Sequence, residues 1–161
     1  MNNSLWLHIA TLGPIGYLKM PGTIATLVTL PVMYYAKLYM SNSAYLTAIG
    51  CLIICSFIII NKALSVVQRS DDPDFIVLDE VIGCLVTFSY VDITWKSLIV
   101  GVLLFRFFDI SKIFPVNYAE LLIGSLGIIC DDIVAAIMAW GGLYFINAYI
   151  FEKSFMLLGL W

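Results

Sequence analysis

Apolar residues along the chain gather into five runs separated by short polar or turn-forming segments. The runs lack the strict alternation of a half-buried strand or a membrane barrel, so they indicate helices. We expect helices over 24–40, 44–60, 81–91, 93–108 and 127–151. The third run has eleven residues, fewer than the roughly 20 that a perpendicular membrane-spanning helix needs. A tilted, re-entrant or protein-packed helix would each explain it. The pattern predicts an all-α bundle of about four to five apolar helices, forming one domain over 1–161.

The composition places this bundle in a membrane. The 161 residues are 62% hydrophobic and 12% charged, with a mean hydropathy of +1.01. Soluble domains are about 45–50% apolar and roughly 25% charged, and a globule this small cannot hide so much apolar surface. The first ten residues have no basic region, and Gly13-Pro14 follows them, so we expect no cleavable signal peptide.

Threading the five runs back and forth across a bilayer places most charged residues on one side. Nine of the eleven acids fall there, namely Asp71, Asp72, Asp74, Asp79, Glu80, Asp109, Glu120, Asp131 and Asp132. Five of the eight basic residues fall there too, namely Lys19, Lys62, Arg69, Arg106 and Lys112. Because basic residues favour the cytoplasmic side of a membrane, we predict a multi-pass protein whose acidic side faces the cytoplasm.

Five of these acids lie at the ends of apolar runs, where a helical bundle would bring them together. They are Asp79, Glu80, Asp109, Asp131 and Asp132. Carboxylates close to hydrocarbon are costly and are candidates for function, and clustered carboxylates repel one another. Arg106 and Lys112 offset only two of the five charges. The remaining charge suggests a divalent cation, and oxygen ligands favour Mg²⁺, Ca²⁺ or Mn²⁺.

These acids also have simpler structural explanations. Asp79 and Asp131 would suit helix N-termini, where they could cap free N–H groups and complement the helix dipole. Asp109 ends its run, where the dipole disfavours an anion, so an i,i+3 ion pair with Arg106 or Lys112 would be needed there. A cation site explains all of these positions at once.

The turn Pro21-Gly22-Thr23 stands just before the first run. It could direct backbone N–H groups and the Thr23 hydroxyl towards a phosphate, or Thr23 could be the N-cap of a helix. The lone histidine, His8, lies outside every cluster, and no cysteine stands five residues before an arginine. Phosphatase chemistry with a cysteine or histidine nucleophile is therefore excluded.

Four motifs, in this order over about residues 13–140, resemble the phosphatidylglycerophosphatase A family. They are Pro21-Gly22-Thr23; Asp72 with Ile76-Val77-Leu78-Asp79-Glu80 and Gly83; Phe105-Arg106 with Asp109, Lys112 and Pro115; and Gly124-x-x-Gly127-Ile128 with Asp131-Asp132-Ile133. The resemblance implies an all-helical protein that hydrolyses phosphatidylglycerophosphate to phosphatidylglycerol and phosphate with Mg²⁺. It also implies a location at the cytoplasmic face of the bacterial inner membrane, with membrane lipid and no nucleic acid as partner.

The chain departs from the family pattern in one loop. It has Lys112-Ile113-Phe114-Pro115 where the family usually has Lys-Pro-Trp-Pro, and Glu120-Leu121 where an Asp-Arg pair is common. Gly124-Ser125 stands where the family has Gly-Gly. Every carboxylate of the predicted cluster is retained.

The acidic cluster and the resemblance together give a mechanistic hypothesis. The predicted Mg²⁺ ligands are Asp79, Glu80, Asp131 and Asp132. Asp109 would be a further ligand or a base, and either water or an aspartate would attack phosphorus. The predicted phosphate-binding residues are Thr23, Arg106 and Lys112. A small cation-coupled transporter and a non-catalytic membrane assembly protein are the alternatives.

Overall fold

The computed structural model describes residues 3–67 and 74–148, and this part of the chain is all-α, as predicted. Its helices are α1 (Asn3–Ala10), α2 (Pro21–Tyr39), α3 (Asn42–Val67), α4 (Leu78–Thr87), α5 (Trp95–Ser111), α6 (Val116–Glu120) and α7 (Ser125–Ile146). A single 3₁₀ turn, Ile15–Tyr17, joins α1 to α2. Three charged residues of the predicted acidic side, Arg69, Asp71 and Asp72, lie outside the described residues, as do the end of the fifth run and the N- and C-terminal ends of the predicted domain.

The five predicted runs correspond to α2, α3, α4, α5 and α7. Two further helices, α1 and α6, have eight and five residues, too short for an apolar run to predict. The described part of the chain therefore has seven α-helices, and the expected count of four to five is not confirmed.

The short third run allowed a tilted, a re-entrant or a protein-packed helix, and α4 is a protein-packed helix. It has ten residues, from Leu78 to Thr87, and none of them is exposed. It packs against α2, α3, α5 and α7. Its approach to α5 depends on Gly83, where an added Cβ would lie 2.3 Å from Cζ of the buried Phe105 ring. The centre of the bundle is therefore a helix with six of its ten residues buried and the other four partly exposed.

Local signals explain how the neighbouring helix begins and ends. Thr94 and Ser97 form a capping box, in which the Ser97 N–H donates to the Thr94 hydroxyl at 3.1 Å and the Ser97 hydroxyl accepts from the Thr94 N–H. Lys112 follows the last turn of α5 in the left-handed conformation, with φ of 47°. This residue turns the chain out of α5 and towards α6.

Two helices of the described chain, α3 and α7, are long and apolar enough to cross a membrane. Their mean hydropathies over 18 residues are 2.3 and 1.7, and 22% and 50% of those windows are buried in the protein. Large apolar side chains such as Ile54 on α3 and Leu103 on α5 are more than half exposed. An apolar surface of this extent is typical of contact with lipid.

Candidate functional site

Three carboxylates come together where α4 meets α7. Asp79 and Glu80 lie in the first turn of α4, and Asp132 lies in the second turn of α7. One oxygen of each residue lies within 4.8 Å of the others. Asp79 and Asp132 are buried, with exposed fractions of 7% and 3%, and only 14% of the Glu80 side chain is exposed. We call these three residues the carboxylate triad.

The triad has the donor chemistry of a site for a hard cation. Glu80 Oε2 and Asp132 Oδ2 are buried and have no hydrogen-bond partner among the described residues. Buried polar atoms are nearly always satisfied, and an unsatisfied buried carboxylate is costly. A divalent ion bound by these oxygens would remove that cost, and carboxylate oxygens suit Mg²⁺ or Ca²⁺. The residues present therefore fit a metal ion.

The electrostatics of Glu80 depend on its surroundings. Burial raises the pKa of Glu80 above its usual value, and the negative charge of Asp109 acts in the same direction. A hydrogen bond with Asp79 and the positive charge of Arg106 oppose this rise in the pKa. Glu80 also lies beside the first turn of α2, where the helix dipole favours a negative charge.

Two cations at the end of α5 flank the triad. Arg106 Nη1 lies 2.6 Å from Asp109 Oδ2 and 3.7 Å from Glu80 Oε1. Lys112 Nζ lies 3.4 Å from Asp109 Oδ1 and also donates a hydrogen bond to Asp131 Oδ2. Burial alone would lower the pKa of Lys112, but its hydrogen bond to Asp131 and the surrounding carboxylates outweigh this and raise it. Lys112 is therefore held as a cation.

The two adjacent aspartates of α7 have different partners. Asp132 belongs to the triad, whereas Asp131 accepts from Lys112 and, at 2.9 Å, from the backbone N–H of Asp132. Asp131 is thus outside the group of three that the structure brings together for a metal. It also lies six residues after Ser125, the first residue of α7, so the prediction of a helix N-cap is wrong for Asp131.

For Asp79 and Asp109 the structure also shows the helix position and the ion pairs that would explain these acids without a metal. Asp79 does lie in the first turn of its helix, where an acid complements the dipole. Asp109 forms both of the expected i,i+3 ion pairs, with Arg106 and with Lys112. These pairs join Asp109 to the triad, because Arg106 also faces Glu80. Asp109 therefore links the two cations that flank the site.

The turn before the first predicted run touches the site through its glycine. α2 begins at Pro21 with Met20 as its N-cap residue, so Thr23 lies inside the first turn and the N-cap prediction is wrong. A Cβ added at Gly22 would lie 2.0 Å from Glu80 Oε1 and 2.9 Å from Arg106 Nη1. Within the Pro-Gly-Thr motif the residue that meets the carboxylate triad is thus Gly22, whereas the side chain predicted to bind phosphate is that of Thr23.

Comparison with known proteins assigns the chain to a family. The family model described as Phosphatidylglycerophosphatase A matches residues 8–147. A protein of Escherichia coli (strain K12) named Phosphatidylglycerophosphatase A is 30% identical over 129 residues, covering 79% of this chain and 74% of that protein. A protein of the same name from Haemophilus influenzae is 40% identical over 70 residues, covering 42% of this chain and 43% of its own length. No solved structure matches.

Proposed function

Since this chain belongs to the phosphatidylglycerophosphatase A family, we propose that it removes the phosphate of phosphatidylglycerophosphate with a Mg²⁺ ion bound by the carboxylate triad. Membership of the family makes the chain a lipid phosphomonoesterase, which sets aside the transporter and the assembly protein. The products of the proposed reaction are phosphatidylglycerol and inorganic phosphate, so the chain would complete the synthesis of this anionic phospholipid.

One observation carries the proposal, namely that the carboxylate triad and two cations share one site. Three acids alone would repel a phosphomonoester, which is itself an anion. Arg106 lies against Glu80 of the triad, and Asp109 pairs with both Arg106 and Lys112. The two cations can bind the phosphoryl oxygens with charge-assisted hydrogen bonds. A site for phosphate hydrolysis needs both the carboxylates and the cations. A transporter for cations would need only the carboxylates.

The ligands of the proposed metal are Asp79, Glu80 and Asp132. When bound, Mg²⁺ neutralises charge on the phosphoryl oxygens and lowers the pKa of a coordinated water. Asp131 holds the Lys112 ammonium in place, and we propose this positioning role for it in place of metal ligation. Asp109 aligns Arg106 with Lys112, so that both cations face the phosphate of the substrate.

We place the site at the cytoplasmic face of the bacterial inner membrane. Helices α3 and α7 are candidates to cross the bilayer, and the predicted excess of basic residues on the side of the site supports a cytoplasmic orientation. The exposed apolar faces of the bundle would lie against the lipid tails. In this arrangement the phosphate of a lipid substrate meets the triad at the membrane surface.

Phosphate release by the purified protein tests the proposal. We expect release from phosphatidylglycerophosphate that requires Mg²⁺ and stops with EDTA. The Asp132→Asn variant should lose about 100-fold or more of kcat, because the metal and its charge stabilisation are lost. Glu120→Gln is the matched control, since Glu120 is an exposed acid in α6, and it should remain active. Equal activity of Asp132→Asn and wild type, or activity that EDTA leaves unchanged, would refute the assignment.

A further inference from the structure

The connection between α5 and α7 exposes a set of large apolar side chains next to the site. They are Ile113, Phe114, Tyr118, Leu121, Leu122 and Ile123, and we call them the linker patch. Ile123 is 92% exposed, Leu121 75% and Phe114 69%. Glu120 is the single charged residue over 113–124. Loops in water are normally polar, so a patch of this kind indicates a surface that something else covers.

The segment that carries the linker patch is packed against the bundle. Val116 of α6 is fully buried in a cluster with Phe105 and Ala135. The carbonyl of Leu122 lies so close to α7 that a Cβ added at Gly127 would be 2.2 Å from it. The exposed side chains therefore stand on a segment that is packed against α5 and α7, and they are directed away from the protein.

The position of the patch relative to the site and to α7 identifies what covers it. The patch begins directly after Lys112, which binds Asp131. It ends just before Ser125, the first residue of a helix that can cross a membrane. Asp131 lies six residues further along α7, which corresponds to about 9 Å along the helix axis. The patch thus stands at the end of α7 that would enter the lipid, before the site along that helix.

Exposed apolar side chains also stand on the helix that precedes the linker patch. Phe107 and Ile110 of α5 are 55% and 66% exposed, and they lead up to the patch along the chain. Exposed apolar side chains on α5, on the linker and on the candidate spans α3 and α7 together favour lipid over a protein partner or a second copy of the chain. A diacyl substrate with its phosphate at Lys112 would also place its tails beside apolar side chains of this kind.

We infer that the linker patch inserts into the lipid–water interface beside the first turn of α7, at the end of the bundle that carries the carboxylate triad. The inference rests on the proposed function. If the patch lies in the interface, the substrates are phosphomonoesters whose acyl chains remain in a bilayer. The physical basis is the burial of exposed apolar side chains in the acyl region, as in helices that lie in a membrane interface.

Spin labelling tests the insertion without reference to activity. The four native cysteines are replaced by alanine, and a nitroxide is attached at Leu121→Cys, at Ile123→Cys or, as control, at the exposed Asp74→Cys. The proteins are placed in vesicles of phosphatidylethanolamine and phosphatidylglycerol. Labels at 121 and 123 should collide more with oxygen than with a water-soluble nickel chelate, and the label at 74 should do the reverse. Preferential collision with the chelate at 121 and 123 would overturn the inference, and so would protection from both reagents, which indicates a protein partner.

Kinetics test the consequence for the substrate. The double variant Leu121→Ser/Ile123→Ser should raise KM for phosphatidylglycerophosphate in vesicles about tenfold or more. Its kcat on a dissolved short-chain analogue should equal that of wild type. Leu38→Ser is the matched control, because Leu38 is 59% exposed in the last turn of α2, and its KM should not change. An unchanged KM in the double variant would refute the role of the patch. If the labels report lipid but wild type releases no phosphate, the proposed function fails and the insertion stands.

Discussion

Replacing Gly22 by alanine should separate metal binding from stability. The added Cβ would lie 2.0 Å from Glu80 Oε1, whereas ordinary van der Waals contact begins at 3.4 Å. The carboxylate must therefore retreat by roughly 1.4 Å. Metal–ligand distances in working sites vary by only about 0.2 Å, so this displacement removes Glu80 from the coordination sphere. We expect the Mg²⁺ concentration that gives half-maximal activity to rise about 10- to 100-fold, the range found when the supporting contacts of a metal ligand are lost.

The same substitution should leave the fold intact. Glu80 and Arg106 present the ends of flexible side chains to Gly22, and alanine favours a helix over glycine by about 1 kcal/mol. The assay is phosphate release against Mg²⁺ concentration, with Tm measured on the same samples. Gly50→Ala in α3 is the matched control, because no atom lies within 4 Å of a Cβ added there. An unchanged Mg²⁺ requirement in Gly22→Ala, with Tm also unchanged, would show that Glu80 is not a ligand.

Substitutions at two further positions address packing and substrate binding. Gly83→Ala places a Cβ 2.3 Å from the buried Phe105 ring. Overpacking should therefore lower the free energy of unfolding by about 1–3 kcal/mol. A Tm equal to that of wild type would contradict the observed approach of α4 to α5. Lys112→Met removes a cation proposed to bind phosphate, and KM should rise about 10- to 100-fold, whereas Lys112→Arg should recover part of the affinity. Equal KM values for Lys112→Met and wild type would exclude that role for Lys112.

Much of the fold follows from the sequence because apolar runs long enough for helices are easy to recognise. The run at 24–40 corresponds closely to α2, and the run at 44–60 lies within α3, which continues seven residues further to Val67. The position of α4 could not be predicted, because an eleven-residue apolar run suits a buried helix and a re-entrant one equally. Helix α6 was missed because its five residues, Val116–Glu120, follow no apolar period.

The clustering of acids at the candidate site could be predicted from the sequence, but which acid joins the triad could not. Segment ends meet in a bundle, so a cluster of acids was expected. Successive residues of an α-helix point about 100° apart, so Asp131 and Asp132 cannot both face α4. Which of the two does so depends on the rotation of α7 about its axis, and the sequence does not specify that rotation. The contact between Gly22 and Glu80 was likewise missed, because it joins two helices that are distant along the chain.

The shielded position of α4, in which six of the ten residues are buried and none is exposed, has a consequence in a membrane of varying thickness. Bacteria vary the thickness and fluidity of their bilayers, and helices exposed to lipid respond by tilting. Asp79 and Glu80 stand on a helix with no exposed residue, and α3, the more lipid-exposed of the two candidate spans, supplies no member of the triad. A tilt of α3 therefore acts on a helix that carries no proposed ligand. The spacing between Asp79 and Glu80 on α4 and Asp132 on α7 depends on the contact between those two helices.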